Sequence, residues 1–359
     1  MNEKKTSGTV FVGLSGGVDS SVAAVRLIAS GYTVVGVFIK VWHPDFLECN
    51  WEQERTDAMR VAAKLGIPFL TCDAQQVYKD AVASYFIDEY KNGRTPNPDV
   101  MCNKHVKFGA FLDFALQHGA DFVATGHYAQ HVVTHKGHTL LRGVDTSKDQ
   151  SYFLWTLTQA QLAKVLLPIG DSSKVRIREE AARAALTTAQ KKDSQGICFL
   201  GHIDIADFLS HYMDLKNGIV LDEQGNEIGT HKGAIIYTQG QRQGFTITTS
   251  NPVRHPYYVT TTNAANNTIV VSTKKPEQEV KSSMTLTEVN YIAWQPQVGE
   301  TIEVQTRYRQ KPTICTITDA DGTNTLTLQF TQSAEQVSSG QSCVLYSRDV
   351  CCGGGIIRP

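Results

Sequence analysis

An excess of charge of either sign is missing from this sequence. Lysine and arginine number 34 and aspartate and glutamate 35, so the 359-residue chain carries a formal net charge of -1. That balance argues against a polybasic coat or tail, although a local basic patch remains compatible with it. A disordered chain is excluded, because 41% of residues are apolar and only 19% charged. Apolar runs such as residues 34–39 fall far below the ~18–20 residues that span a bilayer. The first twelve residues lack the apolar core of about 7–15 residues that a secretory signal requires. A cytoplasmic protein with no membrane partner is therefore expected. Eight cysteines, at 49, 72, 102, 198, 315, 343, 351 and 352, show neither CxxC nor zinc-finger spacing. A chain this long needs no disulfide staples. Internal repeats and low-complexity tracts are also absent.

What is present divides in three. The amino-terminal half alternates short apolar runs with helical patterns. Strands are expected at residues 10–14, 33–40, 68–72 and 121–125. Helices are expected at 20–30, 55–65, 77–90, 106–118 and 173–186. Such alternation predicts an α/β fold with a doubly wound parallel sheet. The texture changes near Asp214. A hairpin is expected at 218–226, and short strands at 301–309, 313–318, 325–330 and 342–346, with a turn at 319–324. This tail reads as a β-barrel or sandwich. The expected units are residues 1–208, 209–275 and 276–359: an α/β domain, a small mixed domain and a β-barrel.

The strongest local signal is SGGVDSS at residues 15–21, between the first strand and first helix. Gly16 and Gly17 allow a tight turn and close approach to a ligand. The helix start behind them offers unpaired N–H groups and a positive dipole end, which suit phosphate. Ser15, Ser20 and Ser21 add hydroxyls, and Asp19 is placed to hold a magnesium ion that bridges phosphate oxygens. No lysine follows Gly17, so this is not the GxxxxGK[ST] loop. SGGxDS instead matches the pyrophosphate loop of enzymes that split ATP into AMP and pyrophosphate. It predicts adenylation of a substrate oxygen.

Two cysteines stand in suggestive settings. Cys102 lies in RTPNPDVMCNKH, before the helix expected at 106, with Lys104 and His105 close by. Such surroundings favour thiolate, and Asp99 is near enough to take or give a proton. Cys198 lies in KKDSQGICFLG, behind two lysines. A buried structural thiol is the alternative at either position. Together with an adenylating loop, the pair suggests sulfur chemistry, with one thiol carrying a persulfide and the other resolving it.

SGGVDSS, RTPNPDVMCNKHVKF, ATGHYA, DTSKDQSYFL, KKDSQGICFLG, HKGAIIYTQGQRQG and the terminal GGGII, in that order, resemble the bacterial tRNA-specific 2-thiouridylases over nearly the whole chain. The resemblance implies ATP- and Mg2+-dependent formation of 2-thiouridine at the tRNA wobble position. It implies adenylation of the C2 oxygen, with sulfur arriving on Cys198 from a cysteine desulfurase or a relay carrier. Cys102 would be the nucleophile that frees the sulfur by forming a disulfide with Cys198. Gly13, Leu14, Ser15, Gly16, Gly17, Val18, Asp19 and Ser20 would carry the ATP phosphates, and Ile39 and Gly126 would border the nucleotide. Asn97, Pro98 and Asp99 would meet the target base. Lys148, Asp149 and Gln150, with Arg307 and Tyr308, would contact the tRNA anticodon stem-loop. Ile39 stands where the family commonly has methionine, and Cys351-Cys352 where a single cysteine is more usual.

Other features weigh less. His127, His131, His135 and His138 suggest zinc, but residues 128–142 read better as a hairpin turning at Lys136-Gly137, so no metal site is assigned to them. Gly240-Gln241-Arg242 is read equally as a tRNA contact and as a loop closure. Two other functions compete: an amidating synthetase of the same loop superfamily, and a non-enzymatic tRNA-binding sulfur carrier. The first needs an ammonia source and no paired thiols. The second would bind nucleotide only for regulation.

Overall fold

The computed structural model describes residues 8–47, 51–192, 203–249, 256–274, 282–292, 295, 297–320, 324–331 and 337–358. The first sheet begins with β1 (Thr9–Gly13), β2 (Thr33–Lys40), β3 (Phe69–Asp73) and β4 (Phe122–Ala124). A hairpin of β5 (Ala129–Thr134) and β6 (Gly137–Arg142) leaves the sheet before β7 (Val165–Leu166) returns to it. The order is β3-β2-β1-β4-β7, all parallel. Both faces are covered, which explains why β1 is apolar at consecutive positions. Val10 and Val12 pack with Ala24, Leu27, Ala58 and Val61 on one side. Phe11 points the other way, into a cluster with Val82, Phe86, Phe111 and Ala115. Sequence order reverses between β1 and β4, and a doubly wound sheet places ligands at such a switch point.

Helix Val18–Ala29 starts at Gly17, earlier than the expected 20. Residues 98–117 form one helical run, Pro98–Met101, a wide-turned π segment Cys102–Ala110, and Phe111–Gln117. The start expected at 106 is thus corrected to 98. Pro98 supplies the fixed φ suited to a first helical position, and Asn97 caps it by accepting from the Val100 amide at 3.4 Å. Cys102 therefore sits one turn inside the helix, away from its amino end.

The second sheet contains β8 (Gly218–Leu221), β9 (Glu227–His231), β10 (Phe245–Ile247), β11 (Tyr258–Asn263) and β12 (Thr268–Ser272). Its order is β10-β9-β8-β12-β11. The third comprises β13 (Ser283–Tyr291), β14 (Thr301–Gln305), β15 (Thr313–Ala320), β16 (Leu326–Phe330), β17 (Ser342–Ser347) and β18 (Val350–Arg358). The order β13-β16-β15-β14-β17-β18 closes through a β13–β18 pairing into an antiparallel barrel. Closure needs the glycine run in β18. A Cβ at Gly353 (φ +133°) would lie 1.9 Å from the Asn290 carbonyl oxygen. The strand expected over 301–309 ends at Gln305, and Arg309 adopts a left-handed φ of +62° in the turn that follows.

The α/β unit also joins the barrel. β6 pairs with β18 through Leu141–Val350 and Leu140–Cys351. Arg142 secures the join: its backbone N–H donates to Asp349, its guanidinium donates to Gln305 at 2.8 Å, and it stacks 3.4 Å above the Tyr346 ring. Among the described residues no helix is long and apolar enough to cross a membrane.

Candidate active site

The glycine loop lies at the carboxyl end of β1. Gly16 is in the left-handed region (φ +70°), and a Cβ there would meet the Glu54 carbonyl oxygen at 2.8 Å. Ser20 Oγ accepts from the Ser15 amide at 3.3 Å, while Ser21 donates to the Gly17 carbonyl at 2.7 Å. Leu14 and Val18 are buried and anchor the loop in the core. Ile39 Cδ1 would lie 3.6 Å from a Cβ at Gly13. Gly126, just after β4, comes so close that its Cβ would stand 2.6 Å from the Ser20 amide nitrogen. Gly13, the loop, Ile39 and Gly126 thus meet at the switch point.

Residues 125–128 connect this loop to the Cys102 helix. Asp99 and Cys102 share a helix face at three-residue spacing. Cys102 is 5% exposed, and Asp99 is half-buried. Burial raises the Asp99 carboxyl above the ordinary carboxylate range, against the pull of Lys107. Lys107 Nζ lies 3.4 Å from His127 Nε2, and His127 Nδ1 lies 2.7 Å from Thr125 Oγ1. Burial, and then Lys107, pushes His127 well below its ordinary value. Its neutral Nε2 therefore accepts from Lys107, and the assigned tautomer donates from Nδ1 to Thr125. The next residue, Tyr128, donates from its hydroxyl to Asp19 Oδ1 at 2.7 Å. One short segment thus touches the phosphate loop through Gly126 and Tyr128, and the cysteine helix through His127.

The loop lacks a lysine of its own, but the fold supplies one. Lys174 Nζ stands 2.8 Å from both carboxylate oxygens of Asp19. Lys174 opens helix Lys174–Arg183, where Ser173 caps the start and Asp145 accepts the Lys174 amide at 2.9 Å. Arg26 holds that helix against Val18–Ala29 by donating to both carboxylate oxygens of Glu180 at 2.8 Å. Lys191 reaches Asp57 at 2.7 Å, beside Gly16. Sequence reasoning missed Lys107, Lys174 and Tyr128. Lys107 and Tyr128 lie inside motifs already quoted, but Lys174 is linked to the loop only by the fold. One carboxylate completed by substrate phosphates and water is a donor set magnesium commonly accepts. Asp19 fits that requirement.

The residues expected to meet tRNA divide. The Asp149 side chain is 10% exposed, and its carboxylate accepts from Arg142 Nη1 at 3.3 Å and from the Gly143 and Ser151 amides. Gln150 exchanges hydrogen bonds with the backbone of Tyr128. Arg307 is exposed, and Tyr308 is half-buried with its ring 4.5 Å from that of Phe153. The Phe153 carbonyl accepts from Asn103, the neighbour of Cys102, at 3.1 Å. The Tyr308 hydroxyl approaches the Lys148 carbonyl at 3.5 Å. Tyr308 thus reaches the cysteine helix from the barrel side through Phe153, with the Lys148 backbone beside it, while Arg307 contacts Ser338 within the barrel. Cys198 lies outside the described residues.

Five other cysteines are deeply buried. Burial pushes Cys72 up to about 11, Cys315 and Cys352 to about 12, and Cys343 and Cys351 beyond that range. The Cys351-Cys352 pair belongs to the barrel wall in β18, where burial disfavours the thiolate.

Three family models match the chain. They are described as the tRNA methyl transferase HUP domain at residues 8–202, the tRNA methyl transferase PRC-barrel domain at 206–273 and the aminomethyltransferase beta-barrel domain at 281–357. The tRNA-specific 2-thiouridylase MnmA of Proteus mirabilis is 42% identical over 356 residues, covering 97% of this chain and 96% of that protein. Its counterpart from Enterococcus faecalis is 41% identical over 353 residues, covering 97% and 94%. A solved 4-thiouridine synthetase–RNA complex with bound ATP overlaps 57% of this chain and 50% of its own, at 18% identity and a TM-score of 0.35. That likeness is too low to carry weight. Identity above two-fifths across almost the full length of both chains is decisive, and it places this protein in the tRNA-specific 2-thiouridylase family.

Proposed function

We propose that this protein forms 2-thiouridine in tRNA by activating the uridine C2 oxygen with ATP and replacing it with sulfur borne on a cysteine. The observation that carries the reading is the bridge of residues 125–128, which joins a phosphate-type loop to a buried cysteine and a raised carboxyl. The loop amides, Ser15 and Ser20 hold the phosphates, with Ile39 and Gly126 beside the nucleotide. Lys174 moves its ammonium from Asp19 to phosphate oxygens as the nucleotide enters. Asp19 would then hold magnesium, which supplies charge neutralisation on the departing pyrophosphate.

The uridine C2 oxygen attacks the α-phosphorus, pyrophosphate leaves, and Asp99 takes the proton lost from N3. The Cys102 thiolate attacks the inner sulfur of a Cys198 persulfide, forming a Cys102–Cys198 disulfide and releasing hydrosulfide. Hydrosulfide adds at C2, AMP departs with the former C2 oxygen, and a thiol reductant restores the cysteines. Burial at Cys102 keeps stray thiols and water from both reactive species. An unpaired anticodon base reaches such a site more cheaply than a stacked duplex base. Lys148, Arg307 and Tyr308 contact the anticodon stem-loop, and Asn97 and Pro98 meet the base. A persulfide-bearing protein, a desulfurase or relay carrier, loads Cys198. The working units are residues 1–208, 209–275 and 276–359.

Incubation with tRNA, ATP, magnesium and a persulfide donor, followed by mass spectrometry of the tRNA nucleosides, tests this reading. Absence of 2-thiouridine where a positive control makes it rejects the proposal. Pyrophosphate release that depends on tRNA excludes the sulfur-carrier alternative.

A further inference from the structure

We infer that Gln341 of the barrel is a positioning residue for the Asp99–Cys102 helix, acting through the Thr95–Pro96 strap that leads into it. The inference rests on the reaction proposed above. Gln341 Nε2 donates to the carbonyls of both Thr95 and Pro96 at 2.9 Å. These are the last two carbonyls before the Asn97 cap. The Thr95 amide donates to the Ser339 carbonyl at 2.9 Å, so the barrel segment grips the strap in both directions. Thr95 Oγ1 also meets Thr238 Oγ1 of the second sheet's unit at 3.0 Å. One residue thus touches all three parts of the molecule.

The grip is tight because Gly340 permits it. Gly340 has φ +88°, and a Cβ there would stand 2.9 Å from the Thr95 carbonyl oxygen and 3.1 Å from Glu89 Oε2. Glu89 in turn pairs with Arg94 at the start of the strap. The same barrel segment carries two further contacts. Tyr152 donates to the Ser342 carbonyl at 2.8 Å. Arg307 Nη2 donates to Ser338 Oγ at 3.3 Å. A prolyl strap transmits position well, because Pro96 and Pro98 fix their own φ angles and restrict their neighbours. Moving the strap therefore moves the cap, and with it the first turn that bears Asp99 and Cys102. Reactions that depend on near-attack geometry lose rate steeply when a catalytic group is displaced by about 1 Å.

The test compares wild type with Gln341→Met, which keeps the side-chain length and removes the donor. Readouts are kcat and KM for tRNA and ATP in the thiolation assay, and the rate of Cys102 alkylation by iodoacetamide in a Cys198→Ser background. Gln341→Met is expected to lower kcat about tenfold with both KM values within twofold, and to change the alkylation rate at least threefold. Thr238→Val, which releases the other anchor of the strap, is expected to move the same readouts in the same direction by a smaller factor. It serves as the test if Gln341→Met fails to fold. Unchanged kcat, or a raised KM for tRNA at constant kcat, would overturn the inference and make Gln341 a packing or tRNA-binding residue. Inactive wild type rejects the proposed function instead, so the two failures are distinguishable.

Discussion

Lys174 and Asp19, separated by 155 positions in the chain, form an ion pair in which the ammonium lies 2.8 Å from both carboxylate oxygens. The pair is partly shielded, with side-chain exposures of 12% and 30%. An ammonium held there is one short movement from any phosphate in the loop. Lys174→Met is expected to raise KM for ATP at least tenfold, about 1.4 kcal/mol of lost binding, and to weaken inorganic pyrophosphate binding in calorimetry. Unaltered pyrophosphate affinity would restrict Lys174 to structural pairing.

Asp99 gives a pH prediction. Burial is the main cause of its raised value, and Lys107 opposes it. An acid raised by folding holds its proton longer in the native state than in the unfolded chain. Its stabilising contribution is full below the unfolded value and is lost as pH climbs through the folded one. Asp99→Asn removes that loss, so the variant is expected to melt no lower than wild type at neutral pH. Its kcat should fall about 10²–10⁴-fold, as expected on removal of a proton-transfer group. The wild-type kcat/KM profile should show an acidic limb above the ordinary carboxylate range that the variant lacks. A profile of unchanged shape in Asp99→Asn would remove Asp99 from the chemistry.

The two cysteines are expected to act as a pair. Cys102→Ser and Cys198→Ser should each abolish 2-thiouridine formation while leaving thermal stability close to wild type. Mass spectrometry of the tRNA nucleosides decides the matter, and undiminished 2-thiouridine in either variant would overturn the paired-cysteine route.

Lys148 and Asp149 are neighbours with different expected signatures. Asp149 is held by Arg142 and by the amides of Gly143 and Ser151. Asp149→Ala should cost about 3 kcal/mol, as for breaking a buried pair, and lower the melting temperature by several degrees. Lys148→Ala should weaken tRNA binding without that loss. Melting curves and filter binding on the two variants separate the roles, and a stable Asp149→Ala with poor tRNA binding would reverse them.

Residues 1–200 carry 22 basic against 20 acidic side chains, and the remainder 12 against 15. With neither half of the sequence carrying a large basic excess, the protein is expected to select tRNA by shape and a few placed contacts. The log–log dependence of tRNA affinity on salt is expected to be shallow, with a slope of about -3 or less in magnitude. A slope near -8 would indicate many phosphate contacts and contradict this view.

Short continuous apolar runs alternating with helical patterns made the parallel sheet readable, because β1, β2 and β4 are covered on both faces and flanked by helices. The loop at 15–21 was readable because its glycines and serines act locally. The start of the cysteine helix lies at Pro98, before the expected 106, because Asn97 and Pro98 are themselves the cap and first turn. Lys174 and Gln341 were invisible for a different reason. Each acts across more than 150 positions, and no local spacing encodes such a contact.

The β6–β18 pairing also bears on synthesis. Hairpin β5–β6 takes its edge partner from the last strand of the barrel. Translation at roughly 5–20 residues per second leaves that hairpin edge uncapped for about 10–40 s before Val350 and Cys351 emerge. During this interval the Leu140–Leu141 edge is open to wrong partners, and the strap before Cys102 lacks its grip. The hairpin edge and the strap before Cys102 thereby wait for residues made some 200 positions later, which places the joining of the α/β unit to the barrel late in folding.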